Sequence, residues 1–409
     1  MADRRRLTIV LVGPASSVHI RRWVTTLSSA GHRVIVASWQ PGPELGGSDL
    51  RIAPVVGASP VQRAPRAAVW LRRLIRETRP DVVHVHSLGA HGLLSLALPH
   101  SPARVVTPWG SELRAAQNSA GRAAVIWLAA RRADLVLPTS AAVGAEMIKR
   151  YRVPASRTQV LSWGVAENLI AALPSISPSA VRRAFGIPAD ATVVLSVRST
   201  AATYRTDEIV SAFARALTDR PGLFLVVLGG LRPDRESARR AQASYLGRIR
   251  AAASATRDRM LVVERTLTPE QTFELMCASD IAVSIPIADQ RGGSVVEAAL
   301  AGCRLLLSDI AAYHEMINDG ITADLLPEPV TVSLADHLRR VSADDVSQRS
   351  NRQFVLAHEH GGINARALEA IYWRLAGRAR PLCGGIQAGH RLSGAAQLTT
   401  LGYWSAVLR

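Results

Sequence analysis

Short, continuously apolar segments alternate with longer segments of helical periodicity along most of this 409-residue chain. The apolar segments show no in-and-out alternation, as is typical of parallel strands that helices cover on both faces. The pattern therefore predicts α/β layers. The first series comprises LTIVLV from Leu7, VIVAS from Val34, VVHVH from Val82, VVTP from Val105 and LVLPTS from Leu135.

A second, similar series begins at Thr192 and predicts a second domain of the same kind. It comprises TVVLSVR, LFLVVLGG, MLVVER, IAVSIP and RLLLSD, again separated by helical segments. The stretch between the two series holds Pro174, Pro178 and Pro188 and has no strand pattern, so its composition is that of a linker. We expect two doubly wound α/β domains, with ligands bound where the carboxyl ends of the strands face a cleft.

The segment after the first strand, HIRRWVTTLSSAGH, has helical periodicity. Its apolar residues Ile20, Trp23, Val24 and Leu27 fall on one face, and Gly31 provides a natural stop.

The amino-terminal MADRRRLTIVLVG imitates a signal peptide, but its apolar run is short and no small-residue cleavage site follows. No stretch approaches the roughly 18 consecutive apolar residues of a membrane span, so we expect a soluble or peripheral protein.

Composition excludes several classes of protein. An apolar fraction of 48% excludes intrinsic disorder. The three cysteines Cys277, Cys303 and Cys383 are expected to be reduced thiols in a cytosolic protein, and no Cys/His cluster has zinc spacing, so no metal is expected. Neither a G-x-G-x-x-G after a first strand nor a G-x-x-x-x-G-K-(S/T) motif is present, which argues against a dinucleotide-binding dehydrogenase and a phosphate loop.

The charge is unusual, with 49 Lys plus Arg against 32 Asp plus Glu, a formal net charge of +17. Lys149 is the single lysine, so the excess is arginine. Either codon bias in a GC-rich genome or attraction of polyanions explains it, the polyanion being nucleic acid, anionic lipid or a phosphorylated small molecule. Aromatic residues make up only 5% and no reader motif is visible, so nucleic acid is not an expected partner.

The segment SDIAVSIPIADQRGGSVVEAALAGCRLLLSD carries the strongest indication of a binding site. A strand ends in a polar loop, and a helix is predicted to begin near Gly293 and Ser294. Gly292 and Gly293 let the backbone approach a ligand, toward which the free N–H groups of the helix start would point. Glu297 is placed to accept hydrogen bonds from ligand hydroxyls, and Asp289 lies eight residues earlier. The alternative is that Glu297 only complements the helix dipole.

This acid-x7-acid spacing, followed by EAALAGCRLLLSD, resembles the nucleotide-sugar site of retaining GT-B glycosyltransferases of family 4, whose loop usually reads E-x7-E. The resemblance extends from Leu7 to about Leu375. It implies that Glu297 binds the ribose of a nucleoside diphosphate sugar and that Asp289 is a catalytic residue facing the donor sugar. Asp289 is one methylene shorter than the usual Glu, and Arg304 stands at the usual proline position.

The segment VVLSVRSTAATYRTDEIV is similar to the first strand of the second domain in that family, where an Arg and a Lys hold the donor diphosphate. Arg198 matches the Arg. No lysine occupies the second position, where Arg205 is the nearest cation. A guanidinium fork suits phosphate oxygens, so the resemblance implies that Arg198, Arg205 and the Gly292–Ser294 amides bind the diphosphate. The alternative for Arg205 is a solvated charge at a helix start.

In the first half, VGPASSVHIRRW resembles the opening strand, loop and helix of the family without the usual Gly pair. His19, at the helix start, is a candidate acceptor contact or a cap. PDVVHVHS places His86 where the family has a histidine near the reacting sugar, whereas His84 is expected to be a core residue. VVTPWGSEL makes Glu112 a second candidate acceptor contact. LSWGVAENL matches a hinge segment, with Ala166 in the position of an acid.

The implied reaction moves a sugar from a nucleoside diphosphate sugar to a hydroxyl acceptor with retention of configuration, in the synthesis of a polysaccharide, glycolipid or natural-product glycoside. No cofactor is expected beyond this co-substrate. Two alternatives stay open. A sugar-nucleotide 2-epimerase has the same architecture and donor, and a catalytically degenerate scaffold subunit would explain the departures at Asp289, Arg205, Ala166 and the first loop.

The predicted organisation has five parts. These are an N-terminal Rossmann-like acceptor domain (1–167), a linker (168–190), a C-terminal Rossmann-like nucleotide-sugar domain (191–355), a C-terminal helix (356–376) and a tail without usable periodicity (377–409).

An arginine-rich segment, VQRAPRAAVWLRRLIRETRP, accounts for the largest cluster of positive charge. It interleaves apolar residues with six arginines: Arg63, Arg66, Arg72, Arg73, Arg76 and Arg79. Such a helix lies on an anionic membrane surface and helps to reach a lipid-linked acceptor, or it is a solvated face over an ordinary core stripe. The expected location is cytoplasmic, with the inner face of the plasma membrane as a site of peripheral attachment.

Overall fold

The computed structural model describes residues 6–42, 45–55, 60–229, 236–341 and 345–377, and these residues form two six-stranded parallel sheets. The first sheet comprises β1 (Thr8–Val12), β2 (Arg33–Ser38), β3 (Ser48–Ile52), β4 (Val82–His86), β5 (Ala103–Thr107) and β6 (Leu135–Val136). The second comprises β7 (Thr192–Ser199), β8 (Leu223–Leu228), β9 (Met260–Val263), β10 (Ile281–Ser284), β11 (Arg304–Ser308) and β12 (Asp324–Leu326). Residues 377–409 were predicted as a tail; of these only 377 is described, and Cys383 lies outside the described residues.

The first sheet has the strand order β3-β2-β1-β4-β5-β6, with Ile9 paired to Val34 on one side and to Val82 on the other. The second has the order β12-β11-β10-β7-β8-β9. Every pairing is parallel, which confirms two doubly wound domains. The apolar segments predicted as strands all form strands. The two edge strands β3 and β12 were not predicted, because they are short or largely polar and only partly buried.

Helices cover both faces of the sheets. In the first half they are α1 (Val18–Ser29), α2 (Pro60–Thr78), α3 (Ala90–Ser95), α4 (Ser111–Ala115), α5 (Ala120–Arg132) and α6 (Ala141–Lys149). The connecting segment carries α7 (Glu167–Ala172) and α8 (Pro178–Ala184). The remainder are α9 (Thr206–Asp219), α10 (Glu236–Ala252), α11 (Pro269–Cys277), α12 (Gly293–Ala301), α13 (Ala311–Asp319), α14 (Val330–Arg340), α15 (Asp345–His358) and α16 (Gly361–Leu375).

Strand β1 shows why the strands read as continuous apolar runs. Ile9 and Leu11 pack into a core with α1 and α16 on one face, while Val10 and Val12 pack into a second core with α2 and α5 on the other. Both faces of β1 are therefore buried, so apolar and polar residues do not alternate along the strand. The apolar stripe predicted for α1 is buried, and the helix ends two residues before Gly31, whose φ is +88°.

The chain crosses between the two sheets twice, at residues 162–166 and 358–361. Here the Val165 N–H donates to the Glu359 carbonyl at 2.6 Å, and the Gly361 N–H donates to the Val165 carbonyl at 2.8 Å. Beyond this crossing α16 returns to the first half, where the Tyr372 hydroxyl lies 2.6 Å from His84 Nδ1. We refer to these two crossings, residues 162–166 and 358–361, as the hinge.

Helix α2 holds the arginine-rich cluster. Leu71, Leu74 and Ile75 are buried in the core, and Trp70 packs against it. Val69 is the exception, being 68% exposed. The apolar residues that were interpreted as membrane-facing therefore lie mostly inward, and the outward face is arginine.

Candidate functional site in the cleft

A cavity of about 770 Å³ lies between the carboxyl ends of the two sheets. Both halves of the chain line it, and it gathers seven of the ten predicted site residues: His19, Arg198, Asp289, Gly292, Gly293, Ser294 and Glu297. The three others, His86, Arg205 and Glu112, have different surroundings. The loop and helix of the second half thus bring the residues of the acid-x7-acid segment to the same cavity.

The loop after β10 and the first turn of α12 form one wall of the cavity. A Cβ at Gly292 would lie 2.7 Å from an Asp289 carboxylate oxygen and 3.2 Å from a nitrogen of Arg198. A larger residue at this position would displace at least one of these charged groups. Gly293 and Ser294 follow in the first helical turn, whose N–H groups have no partner within the helix, so this wall suits an anion.

An ion pair joins Arg198, at the end of β7, to Asp289 on the opposite loop, at 3.1 Å. The Tyr313 hydroxyl donates to the same carboxylate oxygen at 3.0 Å. The guanidinium also stacks over the Tyr204 ring at 4.5 Å and donates to Ser294 Oγ at 3.3 Å. Burial opposes the charge of Arg198, but Asp289, Tyr204 and Tyr313 together outweigh it, and the pKa of the guanidinium is raised. Arg198 therefore stays cationic in a largely desolvated position.

A second ion pair crosses the cleft between Glu297 on α12 and Arg22 on α1. The side chains of Arg22 and Glu297 are only 16% and 14% exposed, respectively. A second nitrogen of the guanidinium donates to the Gly164 carbonyl in the hinge at 2.8 Å. The sequence offered no local indication of Arg22, because its partner lies 275 positions away.

The opposite wall is aromatic. The His19 ring stacks on Trp163 at 4.4 Å and meets Trp109 edge-on at 5.5 Å. Burial, assisted by the nearby charges of Arg22 and Arg198, lowers the pKa of His19 to about 4. The ring is therefore neutral at pH 7. Its Nδ1 is buried without a hydrogen-bond partner among the described residues. The cap of α1 is Ser17, not His19.

His86 is not exposed to the cavity. It is fully buried at the end of β4, with its ring 4.0 Å from that of His84 and 5.8 Å from Trp163. The family resemblance implied that His86 contacts the reacting sugar directly. This geometry is inconsistent with such a contact, because Trp109 and Trp163 line the cavity and His86 does not. His84 is a core residue as predicted, because its two ring nitrogens lie 2.6 Å from the Tyr372 hydroxyl and 2.7 Å from Thr107 Oγ1.

Glu112 does not contact the cavity either. It is 8% exposed, and its carboxylate accepts from the backbone N–H groups of Leu88 at 2.9 Å and Trp109 at 2.7 Å. These bonds tie the loop after β4 to the loop after β5. The carboxylate is used for this backbone contact, so the predicted acceptor contact is corrected to a structural role that positions Trp109.

Arg205 is turned away from the wall that carries Asp289 and Glu297 and does not line the cavity. Its guanidinium is held by the carboxylates of Glu208, at 2.6 Å, and Glu328. Its backbone is left-handed, with a φ of +53°, and Arg205 stands at the N-cap position of α9. The diphosphate role implied for Arg205 is therefore not supported, and Tyr204 lines the cavity in its place.

Two further contacts cross the cleft. The Thr139 hydroxyl donates to the Gln290 amide oxygen at 2.5 Å. The Glu315 carboxylate accepts from the first N–H groups of α6, those of Ala141 at 2.6 Å and Ala142 at 2.9 Å. Together with the pair between α1 and α12, these bonds join the two halves of the chain across the cleft.

The buried histidines make stability depend on pH. Burial lowers the pKa of His84 to about 3 and that of His91 to about 4, as it does for His19. In the unfolded chain these groups titrate near 6.5. The contribution of these neutral histidines to the free energy of unfolding is therefore fully present above about pH 6.5. As the pH falls toward 4, each histidine lowers the free energy of unfolding by about 1.4 kcal/mol per pH unit. We expect the urea midpoint to decrease steeply between about pH 7 and 5.

The matched variant for this prediction is His91→Gln. Removing one lowered pKa should make the dependence of the unfolding free energy on pH shallower by about one proton. A midpoint that does not change over the same pH range in the wild type would contradict the neutral state of these histidines.

No group of three potential metal ligands occurs among the residues that the structure describes. No helix in these parts of the chain is long and apolar enough to cross a membrane.

Comparison with known proteins agrees with this geometry. Residues 16–168 match the family described as Glycosyltransferase Family 4. Among curated proteins, none matches the sequence. Sucrose-phosphate synthase from Thermosynechococcus elongatus is 17% identical, with a TM-score of 0.74 over 90% of this chain and 99% of that one.

Two further solved structures show the same arrangement. HepE of Anabaena, in complex with UDP, is 16% identical with a TM-score of 0.72, covering 89% of this chain and 99% of that one. A glycosyltransferase from Rickettsia africae is 15% identical with a TM-score of 0.69, covering 92% and 100%. Identities this low show the fold, and the match to the family covers residues 16–168. The chain therefore has the GT-B fold, and its first domain is similar to glycosyltransferase family 4.

Proposed function

We propose that this chain is a glycosyltransferase that moves a sugar from a nucleoside diphosphate sugar to a hydroxyl acceptor with retention of configuration. HepE, which has the same fold, is known in complex with UDP, UDP and glucose, and UDP-glucose. That relationship supports a nucleotide-sugar donor for this chain. The reaction takes part in the synthesis of polysaccharides, glycolipids or natural-product glycosides.

The pairing of charges in the cleft carries this proposal. Two of the guanidiniums that line the cavity, Arg198 and Arg22, are each paired with a carboxylate, Asp289 and Glu297, respectively. A ligand that brings anionic oxygens to the guanidiniums and hydroxyl donors to the carboxylates opens both pairs without leaving a buried charge alone. A nucleoside diphosphate sugar has both kinds of group, with phosphates between the ribose and sugar hydroxyls.

The proposed arrangement follows the positions of these groups. The Glu297 carboxylate accepts the ribose hydroxyls. Arg198 and the amides of Gly292–Ser294 hold the diphosphate, and Asp289 faces the donor sugar. His19 contributes a neutral ring nitrogen from the opposite wall. In this arrangement His86 and Glu112 position the aromatic wall and touch neither substrate.

In the chemical step the anomeric C–O bond to the diphosphate breaks, and a bond to the acceptor oxygen forms on the same face. The leaving phosphate accepts the proton of the acceptor hydroxyl, so atoms and charge balance. Arg198 and the helix amides stabilise the negative charge that builds on the diphosphate. A preorganised donor of this kind contributes about 3 kcal/mol or more. No protein nucleophile is required.

A thermal-shift panel of UDP-, GDP- and ADP-sugars tests this function. A ligand at about 100 times its dissociation constant adds about 2.7 kcal/mol of stability. We expect one base to raise the unfolding temperature and the others to have little effect. No shift with any donor would favour a degenerate scaffold subunit. Conversion of the donor to its C2 epimer without an acceptor would favour a sugar-nucleotide 2-epimerase.

We also propose that the first domain binds anionic membranes by charge. Helix α2 presents Arg66, Arg73 and Arg76 outward, while its apolar stripe is buried in the core. Such a face binds through the anionic headgroups and not by insertion, with about 1 kcal/mol per arginine near the surface. A peripheral position of this kind on the inner face of the plasma membrane gives access to a lipid-linked acceptor.

Co-sedimentation with phosphatidylserine-containing vesicles checks this proposal. We expect binding at low salt that is lost at high salt, because the contact is electrostatic. Arg66→Gln with Arg76→Gln should weaken it by about 10-fold or more, from about 1 kcal/mol per charge. Arg248→Gln with Arg340→Gln, exposed in the second half, is the control. Equal loss in both double variants, or no binding by the wild type, would remove the membrane proposal.

A further inference from the structure

One guanidinium joins three parts of the molecule. Arg22 extends from α1 and donates to the Gly164 carbonyl in the hinge at 2.8 Å. It also donates to the Glu297 carboxylate on α12, across the cleft. A change in the angle between the two sheets must alter at least one of these bonds.

The Arg22 contact occupies the carboxylate that the proposed function assigns to the ribose. Glu297 is only 14% exposed while Arg22 holds it, so little of its surface faces water. A ribose that donates to Glu297 therefore competes with Arg22. A charge-assisted bond to a buried carboxylate is strong, so the competition weakens binding of any ligand that offers hydroxyls alone.

The surroundings of Arg22 offer it a second partner when a diphosphate is present. Arg22 and Arg198 line the same cavity, together with Ser294 at the start of α12. The charges of both arginines lower the pKa of the same His19 ring, which places both near one point of the cleft. The proposed function assigns Arg198 to the diphosphate, and Arg22 brings a second positive charge to the same cavity.

We propose that Arg22 is a donor-sensing residue that exchanges Glu297 for the diphosphate of the donor. The inference rests on the proposed function and adds a residue of the first domain to it. With the site empty, Arg22 blocks the ribose carboxylate. When a nucleoside diphosphate enters, its phosphate oxygens take the guanidinium, and Glu297 becomes free for the ribose. The exchange makes binding selective for ligands that carry both groups.

Arg22→Gln should therefore change two affinities in opposite directions. Without the competing cation, the nucleoside binds Glu297 more tightly. Without the phosphate contact, the nucleoside diphosphate binds more weakly. We expect the ratio of the nucleoside dissociation constant to the diphosphate dissociation constant to fall at least about 10-fold, because bonds to charged groups are the strong ones. Arg22→Lys, which keeps the charge without the fork, should give an intermediate ratio.

The adjacent Arg21 provides a matched control. It lies on the same helix but is exposed, and it lines a separate cavity beside the hinge. Arg21→Gln removes one positive charge from the same turn of α1 without touching Glu297, so the ratio should stay within about twofold of the wild type.

Calorimetry with UDP, GDP and ADP, and competition by the matching nucleosides, measures the ratio in the full-length protein. Thermal unfolding of each variant confirms that it is folded. A ratio in Arg22→Gln within twofold of the wild type overturns the inference while leaving the donor site intact. A fall of equal size in Arg21→Gln also overturns it, since bulk charge would then be the cause. If the wild type binds none of the three nucleotides, the proposed function itself is wrong.

Discussion

Replacing Glu297 by alanine lowers the affinity for the donor nucleotide by about 10- to 100-fold. The carboxylate accepts two ribose hydroxyls in the proposed complex, and a hydrogen bond to a charged group contributes about 1.5–3 kcal/mol. The loss is smaller than two full bonds, because the variant also removes the competition from Arg22. Calorimetric titration with the nucleoside diphosphate selected by the thermal-shift panel measures the effect.

The variant Glu297→Gln should lie between the wild type and alanine, since the amide keeps one acceptor and loses the charge. Glu264→Ala is the control, because this carboxylate is 55% exposed and pairs with Arg250. Donor affinity like that of the wild type in Glu297→Ala would show that this helix does not hold the ribose.

Replacing Arg198 by alanine lowers kcat by about 100- to 1,000-fold. The side chain faces the charge that builds on the leaving diphosphate, and removal of one preorganised donor costs about this much in other enzymes. Steady-state rates with saturating donor measure the effect. Arg198→Lys should recover part of kcat, because it keeps the charge but loses the fork.

Stability must be separated from catalysis in this variant. Arg198 neutralises Asp289, which is only 13% exposed, so alanine leaves a carboxylate without its ion-pair partner and lowers the unfolding temperature. Adding Asp289→Asn removes that charge and should restore stability. It should not restore kcat. A double variant that regains the wild-type rate would mean that Arg198 acts only by holding the fold.

Much of the fold could be predicted because its causes are local in sequence. Strands covered on both faces, such as β1 and β10, are continuous apolar runs. Edge strands carry no such signal, and β3 is half-exposed. The segment interpreted as a linker carries two short helices, α7 and α8, whose apolar residues pack on the second core. Its prolines indicated a boundary but not these helices.

The candidate site divides in the same way. Asp289, Gly292 and Glu297 lie on one loop and the helix that follows, so their spacing in the sequence fixes their spacing in space. The first domain contributes through its angle to the second, which no local pattern records. Arg22 was therefore missed. His86 was assigned by residue type at a strand end, without knowledge of Trp163, which lies beside it.

Arg205 shows a related limit. A cation a few residues after the strand suggested a phosphate contact, but the guanidinium pairs with Glu208 and Glu328. Carboxylates close in space, one of them 123 positions away, decided its role. Residue type and spacing gave no information on that partner.

A crystal structure of the protein with the nucleoside diphosphate selected by the panel would show whether Glu297 holds the ribose. We expect ribose hydroxyls about 2.7–3.0 Å from the Glu297 carboxylate, which Arg22 has left. We also expect phosphate oxygens on Arg198 and the Gly292–Ser294 amides. A nucleotide bound outside this cleft, or bound in it with the Arg22–Glu297 pair intact and the ribose elsewhere, would contradict the proposed donor site.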